Sequence, residues 1–460
     1  MDCQLVAGHE PPSFERPALG LDHHRTSAHR TSDPVGIEAD DTQDPQVAVA
    51  ERHVDGKAHT DGVHRTSRPQ QQGTVEPIPS EQAAQPGAKG IRNLQRGQHR
   101  RVPHQPRHRR TAYRRAVEPL EALERVVYLL DRGLAPAPKV KAFARATEIV
   151  AALDPLEVAA RAEAGTLGEL AGIGPSTGGV IVGAYRGKVP DYLAWLEAET
   201  VVPIGPGSDL RRALRGDCHS HTTWSDGGAS IEAMGRAARV LGHRYLVITD
   251  HSPRMAVSRG LHAERLAQQR VELDAVNIVF AAEHAVGGPA FRLLHGLEVD
   301  INEDGSLDMD DDTLAGLDLV VASPHIKLRM EPRAMTRRLA LAALHPHVDV
   351  LGHCTGRKVP PHGNRAGAEF DADLVFAACA EHGTAVEINT RPERQDPPEE
   401  ILHLALEWGC KLAIDSDAHA PGQLEWVNYG CDKAALAGAD PDDVINTWDV
   451  DRLVAWGRAR

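Results

Sequence analysis

Nine residues of two chemical kinds, imidazoles and carboxylates, stand out between positions 219 and 419: His219, His221, Asp226, His251, Glu298, His325, His353, Asp417 and His419. Together these donors suit zinc, manganese or iron. In extended chain, residues two apart point to the same side, so His219 with His221 and Asp417 with His419 each offer a pair of ligands. The chain holds 25 histidines, and any one taken singly reads as an ordinary core or surface residue. Placement sets these apart. Short apolar runs at 245–249, 293–299, 317–322, 348–351, 384–388 and 411–414 alternate with helical stretches. At or just after their ends stand Asp250-His251, Glu298, His325, His353, Asn389 and Asp415-Ser416-Asp417-Ala418-His419. That alternation predicts parallel strands, and in a barrel of such strands the residues at the carboxyl ends converge on one face. The cluster Asp217-Cys218-His219-Ser220-His221, with Asp226 beyond it, follows a first run in the same way. His23, His24, His262, His345, His347, His362 and His382 lack this placement and read as non-ligands. Cys218 and Cys354 abut ligands, but neighbours along a strand face opposite ways.

Ahead of these strands the pattern is helical. Leu120, Leu123, Val126, Val127 and Leu130 recur at spacings of three and four. A second helix carries Lys139, Lys141 and Arg145, and 167–182 reads as helix, tight turn, helix around Gly172-Ile173-Gly174. Two glycines bracketing an aliphatic residue let the backbone turn sharply and direct N–H groups outward at a helix start, a geometry that holds a phosphate. Gly172, Ile173 and Gly174 are therefore candidate DNA contacts; the structural alternative is a turn that only joins two helices. The expected organisation is a leader at 1–116, a helical module at 117–198, a Pro- and Gly-bearing linker at 199–212, and a second domain at 213–460.

The leader is rich in His, Arg, Gln, Pro, Ser and Asp, a composition that cannot offset ordering entropy, and disorder is expected. Its Arg-dense end, 92–115, would suit a nucleic-acid arm. The favoured reading is that this leader is not functional protein, and a misassigned start is one hypothesis for it: the methionine after Met1 is Met234, whereas Val117 directly precedes the first patterned helix and valine codons can serve as bacterial starts. The net charge of −14 excludes a globally basic nucleic-acid binder, so any DNA contact must be local. Six cysteines without a C-x-x-C pair fit reduced thiols in a cytoplasm. No apolar run of about 18 residues predicts a membrane span, and no basic-then-apolar amino terminus predicts secretion.

The hairpin segment resembles the amino-terminal domain of family-X DNA polymerases. One position departs: where lyase-active members carry a Schiff-base lysine, six residues after the second hairpin glycine, this chain has Val180. That resemblance therefore implies DNA binding without the lyase reaction. Further on, His219-Ser220-His221 with Ser225-Asp226, Thr249-Asp250-His251, Gly296-Leu297-Glu298, Ser323-Pro324-His325, Gly352-His353 and Asp415-Ser416-Asp417-Ala418-His419 resemble the ordered motifs of the PHP (polymerase and histidinol phosphatase) family. The likeness is nearest to the PHP domain of bacterial family-X polymerases. It implies a distorted (β/α)7 barrel, of the α/β class, preceded by a small all-α helix-hairpin-helix domain.

The same resemblance implies three divalent cations: one on His219, His221, Glu298 and Asp417, a second on Glu298, His325 and His353, and a third on Asp226, His251 and His419. Asp250 is expected to orient a ligand, and Arg357, Lys327 or Arg254 to clamp a phosphate. The function so implied is hydrolysis of phosphate esters, on DNA as a 3′-to-5′ exonuclease or 3′-phosphatase. The alternatives are a small-molecule phosphatase of the histidinol-phosphate type and a noncatalytic DNA-binding protein with a structural metal. Nine donors argue against the last, because structural zinc sites close with four. Polymerisation is excluded, since the linker at 199–212 is too short to hold a polymerase palm.

Overall fold

The computed structural model describes residues 117–458; the expected leader lies outside the described residues. Helix α1 (Pro119–Arg132) buries Ala122, Leu123, Val126, Leu129 and Leu130, the one apolar face that its three-and-four spacing creates. Helices α2 (Ala137–Ala152), α4 (Pro175–Tyr185) and α5 (Asp191–Glu199) close over that face with Phe143, Ile181, Leu193 and Leu196, and α3 (Pro155–Ala164) packs on α4. Each such buried side chain contributes roughly 1.5–3 kcal/mol. Asp154 caps α3 by accepting the Leu156 N–H at 2.8 Å. Val180 is 2% exposed within this core, so the position that departs from the lysine pattern is occupied by packing.

After α5 the chain is irregular only as far as Gly207, and α6 (Ser208–Ala213) follows. This stretch is tethered. The Asp432 carboxylate accepts the N–H groups of Gly205 and Gly207 at 2.9 and 2.8 Å, and Arg211 donates to Asn428 at 3.2 Å and to the Leu241 carbonyl at 3.0 Å.

Seven strands then alternate with helices. They are β1 (Gly216–Asp217), β2 (Tyr245–Ile248), β3 (Arg292–Asp300), β4 (Leu319–Ser323), β5 (Val350–Leu351), β6 (Ala385–Asn389) and β7 (Leu412–Asp415). Between and after them run α7 (Ile231–Val240), α8 (Ala263–Ala285), α9 (Asp311–Ala315), α10 (Pro332–Ala343), α11 (Ala372–His382), α12 (Glu399–Glu407), α13 (Val427–Leu436) and α14 (Val450–Arg458). All neighbouring strands pair in parallel in chain order, Val247 opposite Leu294 and Ile388 opposite Ile414 among them. The ring closes beyond the ends of β1 and β7, where Ser220 pairs with Ala418 and the His221 N–H donates to the Ala418 carbonyl at 2.8 Å. The expected (β/α)7 barrel is therefore the architecture.

Alternation along each strand divides the lumen into two levels. Toward the amino ends, Val247, Leu294, Val321, Val350, Ala385 and Ala413 pack with Ile445, Trp448 and Leu453 from the carboxyl-terminal segment. Two to four residues further along, the inward positions turn polar at His219, Glu298, Glu387 and Asp415, all fully or almost fully buried. Outside, the helices bury a second apolar layer that includes Leu339, Phe376, Leu402 and Val427.

The helical module and the barrel cluster as one compact unit. Helix α1 lies against the 3-10 segment Pro421–Trp426 that follows β7. Arg132 donates from Nη1 to both carboxylate oxygens of Glu425 at 2.8 and 3.0 Å, the Tyr128 hydroxyl donates to Glu425 at 2.6 Å, and the Trp426 indole N–H donates to the Arg132 carbonyl at 3.0 Å. Gly422 permits the approach: a Cβ there would sit 2.0 Å from the Tyr128 carbonyl oxygen.

Candidate metal centre

All nine ligand candidates reach one face of the barrel, at or beyond the carboxyl ends of its strands. Glu298 in β3 is the hub. His251 Nδ1 and His353 Nε2 each approach its carboxylate at 2.8 Å, His325 Nε2 at 3.2 Å, His219 Nε2 at 3.4 Å and His221 Nε2 at 3.6 Å. Asp417 Oδ1 lies 3.1 Å from His221 and 3.9 Å from His219. Asp226 Oδ1 lies 3.5 Å from His251 and 3.4 Å from His419.

Three overlapping groups have ligand atoms mutually close enough to hold an ion: His221, Asp226, His251 and His419; His219, His221 and Glu298; and His251, Glu298 and His325. They largely follow the implied sets, with His221 and His251 each serving two groups. The donors also fit a cation by what they lack. His219 Nε2, both ring nitrogens of His221 and of His325, and Glu298 Oε2 are buried without a hydrogen bond, an arrangement that costs free energy unless something else satisfies it.

Burial opposes charge on His219, His251 and His325, but Glu298 outweighs it and raises all three, so each sheds a proton to ligate. Burial opposes ionisation of Glu298, but His325, His219 and His251 outweigh it and hold the carboxyl well below its usual range. For Asp417, burial is likewise outweighed by His219 and Arg391. Burial pushes His353 down to about 3, so it stands neutral and able to ligate.

Partners behind the ligands fix their orientation, and several carry no motif in the sequence. Glu387 in β6 meets His219 Nδ1 at 2.6 Å and accepts the His353 N–H at 2.5 Å. Asp300 accepts the His325 N–H at 3.1 Å. Asn389 donates to Asp417 at 3.0 Å. Such outer partners set the ring orientation and basicity of a ligating histidine. The signal for Glu387 was present as a carboxylate inside the apolar run Ala385-Val386-Glu387-Ile388, where a charge must have a buried partner.

Asp250 stands beneath the loop that carries Asp226. Its carboxylate accepts the Thr222 N–H at 2.8 Å, the Thr222 hydroxyl at 2.6 Å, the Ser225 N–H at 3.2 Å and the Gln269 amide at 2.5 Å. His295 backs this network through Gln269 at 3.1 Å. The expected phosphate clamps make these contacts. Arg357 donates to the backbone carbonyls of Arg394, at 3.0 Å, and Gln395. Arg254 is engaged by Asn302, Glu303 and Asp300. Lys327 is exposed, with a φ of 54°. No hydrogen bond or ion pair joins any of the three to the nine candidates among the described residues. The cations beside the cluster are instead Arg391, whose Nη1 donates to the Asp417 carbonyl at 2.9 Å and meets His419 at 2.6 Å, and Arg394, 3.4 Å from the Asp417 carboxylate.

In the helical module, Gly172 adopts a φ of 105° and Gly174 stands at the N-terminus of α4. The Ile173 N–H donates to the Leu170 carbonyl at 2.9 Å and the Gly174 N–H to the Thr177 hydroxyl at 2.9 Å. Two of the turn's three N–H groups are thus used within the module rather than directed outward. Among the described residues, no helix is long and apolar enough to cross a membrane.

Comparison with known proteins agrees with this geometry. Residues 217–391 match the model of the PHP domain. The DNA polymerase/3'-5' exonuclease PolX of Bacillus subtilis is 40% identical over 233 residues, 51% of this chain but only 39% of that protein's length. A probable phosphatase of Thermoanaerobacter sp. is 30% identical over 249 residues, which cover 52% of this chain and 91% of the relative. Among solved structures, histidinol phosphate phosphatase of Lactococcus lactis, complexed with zinc, L-histidinol and phosphate, aligns with a TM-score of 0.36 at 18% identity over 49% of this chain and 95% of that one. Nine converging donors on a seven-stranded parallel barrel, and a relative matched over nearly its whole length, together mean that the chain belongs to the PHP-domain family of phosphoester hydrolases.

Proposed function

We propose that the chain hydrolyses phosphate esters of DNA, as a 3′-to-5′ exonuclease or a 3′-phosphatase, with three divalent cations of zinc, manganese or iron. The carrying observation is Glu298, one buried carboxylate approached by five imidazoles at 2.8–3.6 Å. His219, His221, Glu298 and Asp417 would hold one ion, Glu298, His325 and His353 a second, and Asp226, His251 and His419 a third. When bound, such ions activate water for attack and neutralise charge on the phosphoryl and leaving oxygens. The chain's own residues do the positioning: Glu387 orients His219, Asp300 orients His325, and Asp250 holds the loop that presents Asp226. Arg391 and Arg394 place positive charge beside Asp417, where an anionic ester would arrive.

The DNA reading is supported by where the helical module sits. Helix α1 packs on Pro421–Trp426, which begins two residues after His419, so a strand bound through the module and its Gly172-Ile173-Gly174 turn would be delivered beside the cluster. The likeness to a polymerase/exonuclease over 233 residues favours the same substrate. A small phosphate monoester is the second reading. It is favoured by the depth of the cluster, in which only the side chains of Asp226 and His419, 32% and 22% exposed, reach the surface appreciably. The test is release of phosphate or nucleotide, with manganese or zinc, from plain and 3′-phosphorylated oligonucleotides against histidinol phosphate. Turnover of DNA that the His219→Ala/His221→Ala double variant loses is the expected result; turnover of the small ester alone would overturn the DNA reading.

A further inference from the structure

The amino ends of the strands, at the opposite end of the barrel from the metal centre, carry a cluster of cations that the chemistry above does not use. Arg215 precedes β1, Arg244 precedes β2 and Arg292 opens β3. These strands are neighbours, with Gly216 opposite Tyr245 and Tyr245 opposite Arg292, and the Arg292 N–H donates to the Arg244 carbonyl at 3.0 Å. All three arginines line a cavity of about 550 Å³ together with Arg452 of α14, whose guanidinium lies 4.0 Å from the centre of the Trp448 ring. Phe291, Trp448 and His284 line it as well.

Charge sets this cavity apart. Its wall holds four arginines and one acid, Asp449, which already accepts the Arg452 N–H at 2.9 Å. Among the described residues, none of the four guanidinium groups takes part in a hydrogen bond or an ion pair. Like charges gathered on neighbouring strands repel one another unless a counter-charge lies between them. In a chain with a net charge of −14 the cavity is a local reversal of sign, and it complements an anion.

Geometry narrows the kind of anion. A guanidinium fork pairs bidentately with phosphoryl oxygens. Neighbouring parallel strands lie about 4.8 Å apart, so the starts of β1 and β3 are about 10 Å apart, and a row of this length suits more than one phosphoryl group. Arg292 and Glu298 stand at opposite ends of β3, separated by roughly 20 Å of strand, so an anion held here is not presented to the metal ligands.

We propose that this cavity is a second anion site, which binds a small molecule bearing two or more linked phosphoryl groups through Arg215, Arg244, Arg292 and Arg452. The inference is independent of which ester the metal centre cleaves.

Methylenediphosphonate, whose P–C–P link resists hydrolysis, tests it by calorimetric titration into the full chain with its metal ions. Two classes of binding are expected, one at the metal ions and one at the arginines. The His219→Ala/His221→Ala variant should keep the second class. Arg244→Ala and Arg452→Ala should each weaken that class about tenfold, and Arg244→Lys should recover part of the loss. Arg244 is exposed, so its replacement removes no core packing. Absence of an arginine-sensitive class overturns the proposal. Arg244-dependent binding of oligothymidylate but not of methylenediphosphonate would make the cavity part of a nucleic-acid surface and overturn it as a small-molecule site.

Discussion

The ligand cluster of the barrel and the glycine turn of the helical module are both short signals, and the fold treats them in opposite ways. At the barrel, residues from six strand ends are carried inward until Glu298 is fully surrounded, and atoms such as His219 Nε2, both His221 ring nitrogens and Glu298 Oε2 remain without hydrogen bonds. At the hairpin, Gly172-Ile173-Gly174 meets its own needs, with the Ile173 and Gly174 N–H groups bonded to Leu170 and Thr177. Buried groups without a hydrogen bond point to a ligand, whereas the turn already uses two of its three N–H groups within the module. The module is also docked on the barrel: the Arg132–Glu425 pair and Trp426 tie it to the segment that follows His419.

The largest expected effect tests the barrel half of this contrast. Glu298→Gln should lower kcat/KM for any phosphate ester by on the order of a thousandfold, because one substitution removes a donor shared by two ion sites. A chelator should also lower the thermal midpoint of the wild type much more than that of the variant. Next comes docking. Arg132→Ala leaves the Glu425 carboxylate partly buried without its partner, and a loss of about 3 kcal/mol is expected in denaturant unfolding, with module and barrel melting in one transition. Two separated transitions would mean that the module is only tethered.

A smaller effect is expected at the turn. Gly172 has a φ of 105°, and a Cβ there would lie 2.7 Å from Ile149 Cδ1, so Gly172→Ala should cost about 1–2 kcal/mol of stability by urea melt. Loss of DNA affinity in that variant at undiminished stability would instead make the turn a direct contact. The smallest concerns Asp131 on α1, whose burial raises its carboxyl to about 7 from an ordinary 3.8. A folded-state pKa raised in this way favours the neutral form, so the group's destabilising effect is absent near pH 4 and grows as pH rises through 7. Asp131→Asn should therefore be more stable than wild type by on the order of 1 kcal/mol at pH 8, with the gap closing toward pH 4.

The strands and their ends were legible because parallel barrel strands read as short apolar runs, and a polar residue closing such a run has one face to go to. The two-residue alternations at His219/His221 and Asp417/His419 survive directly into the site. The separation into ion sets was not legible from residue types, since His221 and His251 each approach two groups. Nor were the supporting cations. Arg391 and Arg394 reach Asp417 only because the loop after β6 folds back on the segment after β7, while Arg357, close to a ligand in sequence, bonds to the Arg394 carbonyl. Docking of α1 was hidden for the same reason: Glu425 and Arg132 are 293 positions apart.

The most direct test of the central claim is metal content, measured by elemental analysis of purified protein after equilibration with manganese or zinc, alongside phosphate release from the preferred ester. The account predicts about three ions per wild-type chain, at most about one in Glu298→Gln, and activity that falls with them. A Glu298→Gln protein that keeps both its ions and its turnover would contradict it.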